Sequence, residues 1–348
     1  MTADASLRPL AGPPRAIESA VQRWLEVDDP PALTVRTSGS TGQPKDVLLS
    51  AAALRASAAA TLARIGGPGQ WVLALPAHYV AGLQVLIRSA LAGLAPVHLD
   101  EHADLTAATT ALTGKRRYLA AVPTQLYRWL ESDAAALTAY DVVLLGGGPA
   151  PEHLLRLAHH HDVTVVTTYG MSETCGGCVY DGVPLDGVGV ALGRGGEIRL
   201  SGPVLFDGYD GRPDLTAMAL RDGWFHTADR GRLDDDGRLV VLGRTDDVVI
   251  TGGVNVSVGT VEARLNLMPG MEQAAVVAGP DDEWGVEIVA VVQRGASIPS
   301  LAEIRDFVGA AHPRHWAPRR LVLVDDLPML ASGKVDRRRL AELIAEPR

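Results

Sequence analysis

The sequence predicts an α/β protein. A large N-terminal domain of helix-covered, mostly parallel sheets with a small β subdomain takes residues 1–243, and a small α+β domain takes residues 244–348. Three observations predict it. Short, continuous apolar runs alternate with helical segments through the first half, and strands apolar on both faces belong to sheets covered on both sides. After Gly187 the chain turns to strand-like segments punctuated by Asp-Gly pairs at Asp207, Asp222 and Asp236. Past Gly243, helical and strand-like segments mix in a compact unit.

Leu33 to Arg36 reads as the first strand. Ser50 caps an alanine-rich helix that runs to about Ile65. Trp71 to Leu75 is a strand, Val80 to Ala92 a helix and Pro96 to Leu99 a short strand. Tyr118 to Val122, Val142 to Leu145 and Val163 to Thr167 are three more apolar runs with helices between them. Glu197 to Ser201 and Arg238 to Leu242 read as strands of the β subdomain. In the last part, Val258 to Met268, Leu301 to Ala311 and Asp336 to Ile344 are helical, and Ala274 to Ala278, Glu287 to Val292 and Arg320 to Val324 are strands. The boundary falls at Gly243 to Asp246.

Composition excludes several classes. Hydrophobic residues make up 47% and charged residues 21% of 348, which suits a packed core and not disorder. Net charge is −9, so a broad electrostatic grip on nucleic acid is not expected. Two cysteines make no disulfide framework. The start, Met1 to Ser6, lacks a basic region followed by an apolar run, and Trp71 to Ile87 is broken by Pro76, His78 and Gln84. A cytoplasmic protein without a membrane span is expected. The basic residues are arginines except Lys45, Lys115 and Lys334, and two of these lysines follow glycine-containing turns.

Four segments have the residue types for chemistry. Thr37-Ser38-Gly39-Ser40-Thr41-Gly42-Gln43-Pro44-Lys45 follows a strand. Hydroxyl and backbone donors on such a loop can wrap phosphate oxygens, and a terminal lysine can neutralise them. It lacks the Gly-x-x-x-x-Gly-Lys-Ser/Thr spacing, and on composition alone a surface loop remains open. Thr168 to Thr174 ends another apolar strand, where open α/β sheets bind ligands. There Tyr169 can stack on a base, Glu173 can hold magnesium and Thr174 can bond a phosphoryl oxygen. Asp229 and Arg244 suit a ribose diol, and Ser332-Gly333-Lys334 projects a lysine from a loop. Each has an ordinary surface reading when taken alone. Cys175-x-x-Cys178 has no second pair, so a four-cysteine zinc site is excluded, and small apolar packing is expected of both thiols. Asp234 to Gly237 lacks calcium-loop spacing and reads as a hairpin turn.

Together, in this order, these segments resemble the adenylate-forming superfamily of acyl-CoA synthetases, luciferases and peptide-synthetase adenylation domains, from about Thr37 to Arg338. Leu75-Pro76-Ala77-His78-Tyr79-Val80-Ala81-Gly82 and Thr174 to Gly182 look like the o-succinylbenzoate–CoA ligase branch, which serves menaquinone biosynthesis. The resemblance implies ATP, Mg2+ and coenzyme A as reactants and metal, and a small aromatic acid as substrate. It implies that residues 1–243 form the adenylation core, and that 244–348 swing about a hinge at Asp246. Members of the superfamily carry a substantial subdomain ahead of the serine/glycine loop, whereas 36 residues precede Thr37. Either the N-terminal sheet is reduced, or part of its role passes to a partner subunit; a reduced sheet would leave apolar surface that a homodimer could cover.

Residue by residue, the resemblance assigns Thr37, Ser38, Ser40, Thr41 and Lys45 to the β- and γ-phosphates. Gly147 and Tyr169 go to adenine, Glu173 to the metal, Thr174 to the α-phosphate, and Asp229 and Arg244 to the ribose. Lys334 bridges the carboxylate and the α-phosphate during adenylation, where a compact ammonium fits better than a planar fork. Gly146 and Gly170 are placed beside the acyl group and Gly252 and Gly253 beside the pantetheine arm; His78 lines or gates the acyl pocket, with a satisfied structural histidine as the alternative. The second carboxylate of o-succinylbenzoate needs a cation, and Arg88 is the candidate, with a surface arginine as the alternative. Three other functions compete: an adenylation enzyme loading a carrier protein, another aryl- or acyl-CoA synthetase, and a non-catalytic ATP-binding scaffold. The presence of Lys45, Glu173, Asp229, Arg244 and Lys334 disfavours the scaffold.

Overall fold

The computed structural model describes all residues except 1–7, 9, 38–44, 246, 282–283, 296, 331–332 and 346–348. It divides into two compact units. The first holds residues up to Ala150, Leu154–Thr227 and Arg232–Val240; the second holds Pro151–His153, Ala228–Gly231 and Val241–Arg348.

The first unit is built on a seven-stranded sheet. Its order is Val97–His98, Gln70–Leu73, Arg117–Ala121, Val142–Leu145, Val165–Met171, Gly176–Tyr180 and Val183–Pro184. The first five strands run parallel, and the last two are added antiparallel. Alternation along each strand sorts the side chains between two cores. Trp71, Tyr118, Ala120, Val142 and Leu144 enter one core with helices Ala51–Arg64 and Val80–Ala92. Val72, Leu119, Ala121, Val143 and Leu145 enter the other with Leu105, Leu126, Leu137 and Leu154 from the helices opposite. This two-sided burial is why the strands read as unbroken apolar runs.

The chain leaves Gln70–Leu73 toward Val97–His98 and then returns past it to Arg117–Ala121. Such a reversal of strand order marks the place, beyond the carboxyl ends of the strands, where α/β sheets bind ligands. Helix Val80–Ala92 starts just past that edge. Gly82 lets its first turn press on the Pro76 carbonyl, which a Cβ would strike. Gly93, at φ 65°, ends the helix in the left-handed region that glycine adopts freely. Ser50 caps Ala51–Arg64 as its sequence predicts, its hydroxyl accepting from the Ala53 amide at 3.3 Å.

A second sheet pairs Leu33–Thr37 with Lys45–Leu49, and Lys45–Leu49 with Gly208–Tyr209. Thr37 stands opposite Lys45 in that antiparallel pair. A third sheet contains Gly189–Leu192, Glu197–Ser201, Leu220–Arg221 and Trp224–Leu233, with Leu239–Arg244 paired to Trp224–Leu233. The turn at Asp234 to Gly237 joins the last two strands, Gly237 donating to the Asp234 carbonyl at 3.0 Å.

The second unit has the antiparallel hairpin Val248–Thr251/Val254–Ser257 and a three-stranded sheet, Ala275–Asp281, Gly285–Gln293 and Arg320–Val324. Helices Val258–Leu265 and Leu301–Gly309 cover one face and Arg337–Ala345 the other. Among the described residues, no helix is long and apolar enough to cross a membrane.

Candidate active site

In the first unit, three segments from distant parts of the chain are stitched into one frame. The Phe206 amide donates to the Glu173 carbonyl at 3.0 Å, that of Asp207 to Leu48 at 2.9 Å and that of Asp210 to Asp46 at 2.8 Å. This frame puts Lys45, at the end of the hydroxyl-rich segment, beside Glu173, on the one-turn helix Ser172–Thr174. The Lys45 ammonium lies 5.1 Å from the centroid of the Tyr209 ring. The Tyr209 hydroxyl donates to Glu173 Oε1 at 2.9 Å. Tyr209 was not singled out from the sequence, because Asp207-Gly208-Tyr209-Asp210-Gly211 reads there as a turn.

Three of the expected residues also have structural partners. Thr174 is fully buried, and its hydroxyl donates to the Gly176 carbonyl at 2.7 Å while accepting from the Met171 amide at 2.9 Å. These bonds hold the turn closed. Gly146 and Gly170 have their Cβ directions filled by neighbouring strands. A Cβ on Gly146 would collide with Thr168 Oγ1, and one on Gly170 with the Gly176 carbonyl oxygen, so strand packing requires glycine at both. Gly147, exposed at φ 82°, does need glycine for its backbone conformation. Ser38, Ser40, Thr41 and Asp246 lie outside the described residues. Thr37 donates from its hydroxyl to the Lys45 carbonyl at 3.3 Å, and Tyr169 packs half-buried against the first core.

His78 sits half-buried just before helix Val80–Ala92, its ring 4.3 Å from that of Tyr79, and burial lowers its pKa. Arg88 is not a surface residue: it is 4% exposed. One guanidinium nitrogen donates to Thr61 Oγ1 at 3.3 Å, and the group lies 5.1 Å from the Trp71 ring centroid. Its Nε has no partner, and among the described residues no carboxylate pairs with it. Burial lowers its pKa, and the nearby Tyr180 opposes that shift. Thr61 is itself bonded to the Tyr180 hydroxyl at 2.9 Å, so the positive group sits in a small buried polar cluster.

Both thiols are buried, as expected of apolar packing. Burial pushes the Cys178 thiol up to about 12 and Cys175 higher still, so neither forms a thiolate near neutrality.

In the second unit, Arg244 and Asp229 form an ion pair at 3.3 Å, with Asp229 buried and Arg244 half-exposed. Thr245 fixes the segment by donating to the Ala228 carbonyl from its amide at 2.7 Å and its hydroxyl at 2.9 Å. Lys334 lies in a tight turn in which the Leu330 amide bonds the Lys334 carbonyl at 2.7 Å and Gly333 takes φ 76°. Its side chain is exposed, yet the surrounding protein lowers its pKa, as does the Arg244 charge, with Asp229 opposing. Gly252 does not leave open space: a Cβ there would strike the Trp284 ring. Gly253, at φ 80°, has nothing within 4 Å of such an atom.

Among the described residues, no group of three or more His, Cys, Asp or Glu side chains forms a metal cage. Magnesium does not need one, because it keeps waters and binds through one or two carboxylates together with substrate phosphates. Glu173, with one oxygen held by Tyr209 and the other not so held, fits that use.

An α/β unit followed by an α+β unit, with these loops in this order, is the organisation of adenylate-forming enzymes. The chain belongs to the AMP-binding enzyme family: that family's model matches residues 14–210, and the family's C-terminal domain matches 260–334. It is 46% identical over 331 residues to a protein of Mycobacterium tuberculosis named probable 2-succinylbenzoate–CoA ligase, covering 92% of this chain and 86% of the relative. It resembles o-succinylbenzoate CoA synthetase from Bacillus subtilis in complex with its acyl-adenylate intermediate, with TM-score 0.76, 28% identity, and 90% and 69% of the two chains covered. The same enzyme in complex with ATP and magnesium ion matches with TM-score 0.75 and 28% identity over 88% of this chain and 69% of that one.

Proposed function

We propose that the chain is an acid–CoA ligase that activates 2-succinylbenzoate with ATP and passes the acyl group to coenzyme A, a step of menaquinone biosynthesis. In the first half-reaction a carboxylate oxygen attacks the α-phosphorus. The bond to the β-phosphate breaks, giving the acyl-adenylate and pyrophosphate. In the second, the coenzyme A sulfur attacks the acyl carbon, the acyl–oxygen bond breaks, AMP leaves and the thiol proton is lost to solvent. Such chemistry needs alignment and charge neutralisation more than covalent help from the protein.

The observation that carries this reading is the meeting of Lys45 and Glu173 on Tyr209, which gathers a cation and a carboxylate suited to a metal-bound triphosphate. Lys45 takes β/γ-phosphate charge. Glu173 holds magnesium, which when bound neutralises the phosphates. Asp229 and Arg244 hold the ribose. Lys334 neutralises the carboxylate and α-phosphate during adenylation, then gives way to the turn at Gly252 and Gly253 for thioester formation, with Asp246 as the hinge. Arg88 receives the carboxylate that does not react. It stands eight residues into its helix, about 12 Å along the axis from Val80, so the acid must extend inward from the sheet's edge. Its guanidinium, neutralised by no carboxylate among the described residues and with Nε unbonded, favours a dicarboxylate over a simple aryl acid.

Incubation with ATP, magnesium, 2-succinylbenzoate and either free coenzyme A or a phosphopantetheinylated carrier tests the reading. A mass-identified thioester on free coenzyme A alone supports it. A thioester on the carrier alone would make the chain a carrier-loading enzyme.

A further inference from the structure

Tyr209 is 7% exposed and lies where the three segments of the phosphate-facing frame meet. It pairs with Val47 in the strand that begins at Lys45. Its amide donates to Thr216 Oγ1 at 2.9 Å, and its ring meets that of Phe206 edge-on at 4.9 Å. The ring is therefore held from both backbone and side chain. One face of it receives the Lys45 ammonium, and its hydroxyl donates to Glu173 Oε1.

We propose that Tyr209 is a positioning residue that couples the phosphate-loop lysine to the metal-facing carboxylate; this rests on the functional reading above. A lysine and a glutamate brought close together without ligand would pair with each other and occupy both binding functions. A single aromatic side chain engages each separately: the π face attracts the ammonium, and the phenol fixes one carboxylate oxygen. Partners that orient a metal-binding carboxylate set its affinity as well as its direction. The two contacts use different parts of one side chain, so substitution can separate them.

Tyr209→Phe keeps the ring and loses the hydroxyl; Tyr209→Leu loses both. Manganese binding to the ATP-bound protein is followed by electron paramagnetic resonance, and metal-free ATP binding by calorimetry in chelator. The Phe variant should bind manganese about tenfold more weakly, the scale of a lost hydrogen bond to a charged group, with metal-free ATP affinity unchanged. The Leu variant should lose metal-free ATP affinity as well, and neither should change affinity for the acid. Wild-type manganese binding in the Phe variant overturns the proposal, as does a folded Leu variant that matches the Phe variant in ATP affinity. A lowered melting temperature with unchanged manganese binding marks a purely structural tyrosine and also overturns it. If the Leu variant does not fold, the Phe variant alone decides. Absence of ATP-dependent manganese binding in the wild type would instead overturn the functional reading on which the proposal rests.

Discussion

Replacing Arg88 by methionine should separate stability from substrate recognition. In the free protein the guanidinium is buried, with one bond to Thr61 at 3.3 Å and a ring contact at 5.1 Å to Trp71. Those contacts return about 1.5–3 kcal/mol for a charge-assisted bond and about 0.5–2 kcal/mol for the cation–π contact. The effective cost of burying an ion is still several kcal/mol. An apolar side chain of similar length should therefore leave stability unchanged or raise it, by up to about 4 kcal/mol. Binding should move the other way. Losing one partner of a buried charge pair costs about 2–5 kcal/mol, so 2-succinylbenzoate affinity should fall by about a hundredfold. Thermal melting with and without the acid, with KM values for acid and ATP, reads both effects. The variant should melt at or above the wild-type temperature, gain little from the acid, and keep its ATP KM. An unchanged acid KM would remove Arg88 from the site, and a large loss of stability would show that the cluster with Thr61 and Tyr180 serves the fold instead.

Lys334→Ala should abolish adenylation while leaving most of the thioester formation from supplied acyl-adenylate; equal loss in separate half-reaction assays would refute the two-state use of this lysine. Because Lys334 must be protonated to neutralise charge and its pKa is lowered, the adenylation rate should fall on an alkaline limb beginning below the usual lysine range, a limb absent from thioester formation. Glu173→Gln should raise the magnesium concentration for half-maximal activity about tenfold or more, the loss of a charged ligand, measured by titration at saturating ATP. Gly170→Ala should destabilise the protein by about 2–3 kcal/mol through overpacking against the Gly176 carbonyl, read by chemical denaturation.

The parallel core was legible in the sequence because both faces of its strands are buried, which leaves apolar runs that local inspection finds. Ser50 was legible for a different reason, since a capping hydroxyl acts within three residues. Strand Lys45–Leu49 escaped because it begins with two charged residues, and its partner lies across the loop. Tyr209 escaped because its significance comes from Lys45 and Glu173, far away in the chain. Arg88 could not be assigned to interior or surface from periodicity, as helix Val80–Ala92 is apolar around most of its circumference. The buried contact between Glu18 and His98, 2.8 Å apart and linking helix Pro14–Leu25 to the sheet edge, left no local trace either. Glycine was the most ambiguous residue: Gly146 and Gly170 look like ligand-facing glycines in sequence, and only the neighbouring strands show what their missing side chains avoid.

Acid-dependent exchange of labelled pyrophosphate into ATP, run with no coenzyme A, isolates acyl-adenylate formation from everything downstream. Exchange that requires both magnesium and 2-succinylbenzoate, and that weakens when benzoate replaces the dicarboxylate, is the expected result. No exchange with 2-succinylbenzoate, from folded protein that binds ATP, would contradict the account.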